Sequence, residues 1–131
     1  MKSTKQLGIY MLKLYENLLQ IASRDNVYRP LSVYFATNPP LGHTGSFCYQ
    51  KLGMYYYGAI GDKGECEIII ATKDLKELVY RVFINDILLM ASNYAAEHAE
   101  DGNFHEIFHK KRVKYFQAIG EEYAIMAAEQ P

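Results

Sequence analysis

Between residues 4 and 22, Leu7, Met11, Leu14, Leu18 and Ile21 recur at spacings of three and four. Lys5, Lys13, Glu16 and Gln20 fall largely off that stripe, so the pattern predicts an amphipathic helix with one apolar side. Ser23-Arg24-Asp25-Asn26 closes it with turn formers. The periodicity then changes. From 27 to 72 come short β-rich runs: Val33-Tyr34-Phe35, Phe47-Cys48-Tyr49, Met54-Tyr55-Tyr56-Tyr57 and Glu65 to Ile70. Asn38-Pro39-Pro40-Leu41-Gly42 and Gly61-Asp62-Lys63-Gly64 separate them. The last two runs, around a short Gly/Asp turn, predict an antiparallel hairpin. Alternation in its second arm sends Cys66 and Ile68 one way, Glu67 and Ile69 the other.

Asp74 with Glu77 three residues on is a capping-box-like helix start. That helix is expected to run to about Ala99, with Leu75, Leu78, Val79, Val82, Phe83, Leu89, Met90 and Tyr94 inward. Asp101-Gly102-Asn103 breaks it, a second long helix follows from Phe104, and a break near Gly120 leaves a short last helix, 121 to 129. The order predicts an α+β fold: an N-terminal helix, a three- to four-stranded antiparallel sheet, then two long C-terminal helices packed on one face. At 131 residues, the chain 1–131 is expected to be one domain, with a core that needs neither disulfides nor a metal.

Charge narrows the function. A formal net charge of -1 lacks the basic excess of a phosphate-binding surface, so no nucleic-acid partner is expected. The N-terminus starts basic and turns apolar, but Lys13, Glu16 and Asn17 interrupt it and no A-x-A-like cleavage site follows. No run reaches the roughly 18 apolar residues of a membrane span, so no membrane partner is expected and the cytoplasm is the expected location. Cys48 and Cys66 read as two buried free thiols, with a disulfide as the alternative. Twelve tyrosines and no tryptophan are the compositional oddity. Tyrosine suits protein interfaces and also ordinary strands.

The stretch His105-Glu106-Ile107-Phe108-His109 matches H-E-x-x-H, in which two imidazoles share a Zn²⁺ and the glutamate serves as base. Lys110-Lys111-Arg112 directly after it would oppose a bound cation. A catalytic site also needs a third ligand; His98, Glu121, Glu122 and Glu129 are candidates, none in a partner motif. Helical phase places Phe104, Ile107, Phe108, Tyr115 and Ile119 on the apolar stripe and His105, Glu106 and His109 beside it. We therefore read the three polar residues as rim positions and keep a small zinc hydrolase as the alternative.

Asp86 interrupts an apolar helix face, so it should be paired; Arg112 on the next helix is the expected partner. Gly42-His43-Thr44-Gly45 lacks the strand–loop–helix context of a phosphate cradle. No serine sits in a G-x-S-x-G elbow, and neither cysteine has local support as a nucleophile.

Two runs remain, GDKGECEIIIATKDLKELVYRVFINDILLMASNY and GNFHEIFHKKRVKYFQAIGEEYA. Thr72, Asp74, Leu75, Glu77, Leu78, Tyr80, Phe83, Asp86, Ala91, Tyr94, Phe104 and Gly120 carry their pattern. In these positions the chain resembles the bacterial family called immunity protein sixty-three, over about residues 60 to 124. The resemblance implies a non-enzymatic protein that binds a toxin encoded beside it, with no cofactor and no catalytic residues. His105 and His109 have no histidine counterpart in the family pattern. Tyr55, Tyr56 and Tyr57 are the expected partner surface, because alternation cannot turn all three inward. An acidic patch of Glu97, Glu100 and Asp101 is the second candidate, suited to a basic toxin.

Overall fold

A computed structural model describes residues 1–38 and 45–129. The element order is α1 (Thr4–Arg24), β1 (Val33–Phe35), β2 (Gly45–Lys51), β3 (Met54–Ile60), β4 (Cys66–Thr72), α2 (Leu75–His98), α3 (Phe104–Ile119) and α4 (Glu121–Ala128). The fold is α+β, as expected. One correction applies. The sheet is mixed, because β1 pairs parallel to β2 while β2–β3 and β3–β4 are antiparallel, in the order β1-β2-β3-β4. Three helices follow the sheet: the two long ones of the fold expectation, and as a third the short α4 that the break at Gly120 sets apart from α3. A three-residue strand alternates identically in either direction, so the Val33–Phe35 pattern could not encode its sense.

The chain divides into two compact units, Met1–Leu12 with Leu31–Val82, and Lys13–Pro30 with Phe83–Pro131. In the first, Ser3 and Gln6 form a reciprocal capping box that starts α1: the Ser3 N–H donates to Gln6 Oε1 at 2.8 Å and the Gln6 N–H to Ser3 Oγ at 3.2 Å. Leu7 and Met11 are fully buried. The start of α2 is fixed differently from a simple box. Asp74 Oδ1 accepts the Lys76 N–H at 2.9 Å, while Glu77 accepts the Thr72 hydroxyl at 2.9 Å.

The turn between β2 and β3 is two residues long, Leu52 (φ 50°) and Gly53 (φ 79°). Positive φ at both positions is what a right-twisted hairpin of this length demands. Gly53 meets it freely; a leucine there costs about 1 kcal/mol. Further along, β4 carries a bulge opposite Tyr57/Gly58, with Ile69 as the extra residue. The bulge explains why the expected alternation holds for Cys66, Glu67 and Ile68, which face Ile60, Ala59 and Gly58, and fails beyond them.

In the second unit the core includes Leu18, Ala22, Phe83, Ile87, Met90, Ala91, Tyr115, Phe116, Ile119 and Tyr123. Leu89, expected inside, is 41 % exposed, and Ile87 takes the inward position. The reason is that Ile87-Leu88-Leu89-Met90 is an unbroken apolar run, so the sequence there marks the inner stripe weakly. Asp25 anchors the end of α1: Lys111 Nζ and the Tyr115 hydroxyl both donate to its Oδ2 at 2.8 Å.

Candidate functional site

The two faces of the sheet differ in chemistry. One carries Phe35, Cys48, Tyr55 and Tyr57 and meets the N-terminal part of α1. There the Lys2 backbone N–H donates to the Tyr55 hydroxyl at 2.9 Å, and a Cβ on Gly8 would lie 3.2 Å from the Phe35 ring. Cys48, Tyr55 and Tyr57 are buried. Burial pushes the Cys48 thiol up to about 12, which keeps it protonated and inert.

The opposite face carries Tyr34, Phe47, Tyr49, Tyr56 and Ile68. Tyr49 and Tyr56 are direct cross-strand partners, their rings stacked with centroids 4.9 Å apart at 23°. Phe47 extends the stack, 6.0 Å from Tyr49 at 6°. Phe47 is itself buried beside Gly58, where the missing side chain leaves room for its ring. Tyr49 and Tyr56 are half-buried, and Tyr34 and Ile68 are exposed. Lys51 is the one charged side chain at the strand positions of this face among the described residues. Rings already held by their neighbours lose little freedom on binding, and their hydroxyls can still bond a partner.

Of the three consecutive tyrosines, then, Tyr56 alone lies on the open face; Tyr55 and Tyr57 belong to the core. Tyr49 was not singled out from sequence. The cross-strand register that couples it to Tyr56 follows from the two-residue turn at Leu52-Gly53, which was the available signal. In the other unit, Glu97, Glu100 and Asp101 are all exposed around the end of α2. Gly42, His43 and Thr44 lie outside the described residues.

The HEIFH segment opens α3, with His105, Glu106 and His109 exposed and Ile107 and Phe108 half-buried. Glu106 is ion-paired with Lys110 at 3.1 Å. Arg112 Nη2 lies 2.8 Å from His109 Nδ1, and a guanidinium can only donate. His109 Nδ1 therefore accepts, which places the ring proton on Nε2, the atom left to face a metal. Among the described residues, no group of three His, Cys, Asp or Glu side chains is placed to hold an ion, so His98, Glu121, Glu122 and Glu129 supply no third ligand.

Asp86 and Arg112 do not pair with each other. Asp86 Oδ1 accepts from Arg29 Nε at 3.3 Å, and Arg112 Nη2 donates to the Ala127 carbonyl at 3.2 Å as well as bonding His109. Arg112 is buried, and its bond to the Ala127 carbonyl ties it to α4. Burial pushes the Asp86 carboxyl above its ordinary value, and Arg29 offsets this only in part.

No family model, no curated protein and no solved structure matches this chain.

Proposed function

We propose that the chain is an immunity protein: it binds a cognate bacterial toxin in the cytoplasm and neutralises it by direct contact, without catalysis of its own. The observation that carries this reading is the preformed Tyr49–Tyr56 stack on the open sheet face, flanked by Tyr34 and Ile68. Aromatic anchors held rigid before binding and surrounded by polar tips are the usual energetic centre of a protein interface. The Thr72–Glu77 helix start and the Asp86 position, which carry the family resemblance, are engaged in intramolecular bonds. They support a scaffold role and leave recognition to the sheet.

The test is co-expression with the toxin domain encoded beside this chain. Growth rescue and a 1:1 complex support the reading. Tyr56→Ala together with Tyr49→Ala should weaken that complex by roughly thirtyfold or more, the loss typical of interface hot spots. A toxin that remains fully active in the presence of the folded protein would discard it. Glu97→Lys with Glu100→Lys separates the second surface: loss of binding there, with the tyrosine variant intact, moves the interface to the acidic patch.

A further inference from the structure

Leu52 stands at the tip of the β2–β3 hairpin with a left-handed backbone and 90 % of its surface exposed. A Cβ on the adjacent Gly53 would meet nothing within 4 Å, so the tip projects into open space. Asparagine, aspartate or glycine would make this turn with less strain and no exposed aliphatic group. Leucine there is unfavourable for the isolated fold on both counts, which points to a use outside the chain.

The charges around the tip supply the chemistry. Lys51 precedes it. Lys2 and Lys5 belong to the first turn of α1 and its approach, which is fastened to the hairpin: the Gln50 N–H donates to Thr4 Oγ1 at 3.0 Å, the Thr4 hydroxyl to the Gln50 carbonyl at 3.3 Å, and the Lys2 N–H to the Tyr55 hydroxyl. Lys73 follows Thr72, the β4 residue paired with Tyr55. The nearby carboxylates, Asp74 and Glu77, are engaged in the α2 start. At the other end of the same strands lie Asp62, Glu65 and Glu67 with Lys63. Lysines still outnumber the exposed carboxylates Asp74 and Glu77 around the leucine, and carboxylates outnumber Lys63 at the other end, so the sheet is polarised along its strands.

We propose that the Leu52 end of the sheet is a peripheral docking edge for anionic phospholipid bilayers, Leu52 entering the acyl boundary while the exposed Lys51 and Lys73 meet the headgroup phosphates. A convex tip suits a yielding plane. One leucine and a few lysines fall short of the roughly 800 Å² per partner that a stable protein interface buries. A bilayer requires only insertion to about 5–10 Å, with each lysine adding attraction to an anionic leaflet. No helix among the described residues is long and apolar enough to cross a membrane, so this contact is with the surface. The edge uses the end of the sheet and not its aromatic face, and does not depend on the toxin reading.

The experiment is sedimentation of the whole chain with vesicles of phosphatidylserine and phosphatidylcholine (roughly 3:7), against phosphatidylcholine alone. The protein should pellet with the anionic vesicles and release as salt is raised. Leu52→Asn suits the turn better than leucine and should keep the fold, yet weaken vesicle binding about tenfold or more. Ile125→Asn, which removes an aliphatic 54 % exposed elsewhere, should bind like the parent. Leu52→Trp would be the chain's only tryptophan, and its emission should shift to the blue on anionic vesicles. Absent binding, equal binding to neutral vesicles, or a Leu52→Asn variant that binds unchanged would overturn the proposal. So would capture on polyglutamate without capture on vesicles, which assigns the edge to an acidic protein.

Discussion

Tyr115 and Asp25 are joined by a 2.8 Å hydrogen bond between residues 90 apart in sequence, and Lys111 places its ammonium on the same carboxylate oxygen at 2.8 Å. Lys111 also lies 4.0 Å from the centroid of the Tyr94 ring. The carboxylate is thus the meeting point of the end of α1 and the middle of α3. Burial pushes its pKa up, but the bonds from Lys111 and Tyr115 and the charges of Lys111 and Lys114 outweigh that and hold it below the ordinary carboxylate value.

Replacing Asp25 with alanine should therefore lower stability by about 2 kcal/mol at neutral pH, since it leaves a half-buried ammonium and a buried hydroxyl without their acceptor. The folded pKa is depressed, so this contribution is present above the ordinary carboxylate value and disappears as pH falls through the lower folded value. Urea midpoints measured for parent and Asp25→Ala across the acid range should converge at the lowest pH. Parallel curves would contradict the assignment.

Asp86 should behave in the opposite sense. Its pKa is raised, so the charged form is disfavoured in the fold, and its contribution is present below the ordinary value and lost as pH rises through the folded one. Asp86→Asn should change stability at neutral pH by less than about 1 kcal/mol, because the desolvation cost goes with the Arg29 pair. A thermal-melt comparison of Asp25→Ala and Asp86→Asn with the parent reads the difference directly.

The cysteines should separate by reactivity. Cys48 is fully buried with its thiol raised to about 12, and Cys66 is exposed on β4. A thiol reagent at neutral pH should titrate one group in the native protein and two after denaturation. Cys66→Ser should abolish the native reaction. The expectation of two buried thiols fails at Cys66 because β4 lies at the edge of the sheet.

Gly58→Ala should be the most damaging small change in the sheet. A Cβ there would lie 2.4 Å from the Glu67 carbonyl oxygen and 2.6 Å from Phe47 Cζ. The first is backbone within the β3–β4 ladder and cannot step aside, so a loss of about 2–3 kcal/mol is expected, measured by denaturant unfolding. The same clash would displace Phe47 and with it the stack on Tyr49, which near-ultraviolet circular dichroism should report.

The sequence by itself determined the elements. Leu7, Met11 and Leu18 mark α1, Asp74 marks the start of α2, Asp101-Gly102-Asn103 marks its end, and the Gly61–Gly64 turn joins β3 to β4; each signal is local, carried by neighbours within a helical turn or a hairpin. The rim positions of His105, Glu106 and His109 followed from the same helical phase. What joins distant segments was decided only by the tertiary structure. The parallel sense of β1, the choice of Arg29 over Arg112 for Asp86, the bulge at Ile69, and the selection of Tyr56 from three consecutive tyrosines all depend on which partner packing brings near. A charge or a ring in sequence carries its chemistry but not its neighbour. The helix period fixed where Asp86 points, and the three-dimensional path of residues 25 to 30 fixed what it meets there.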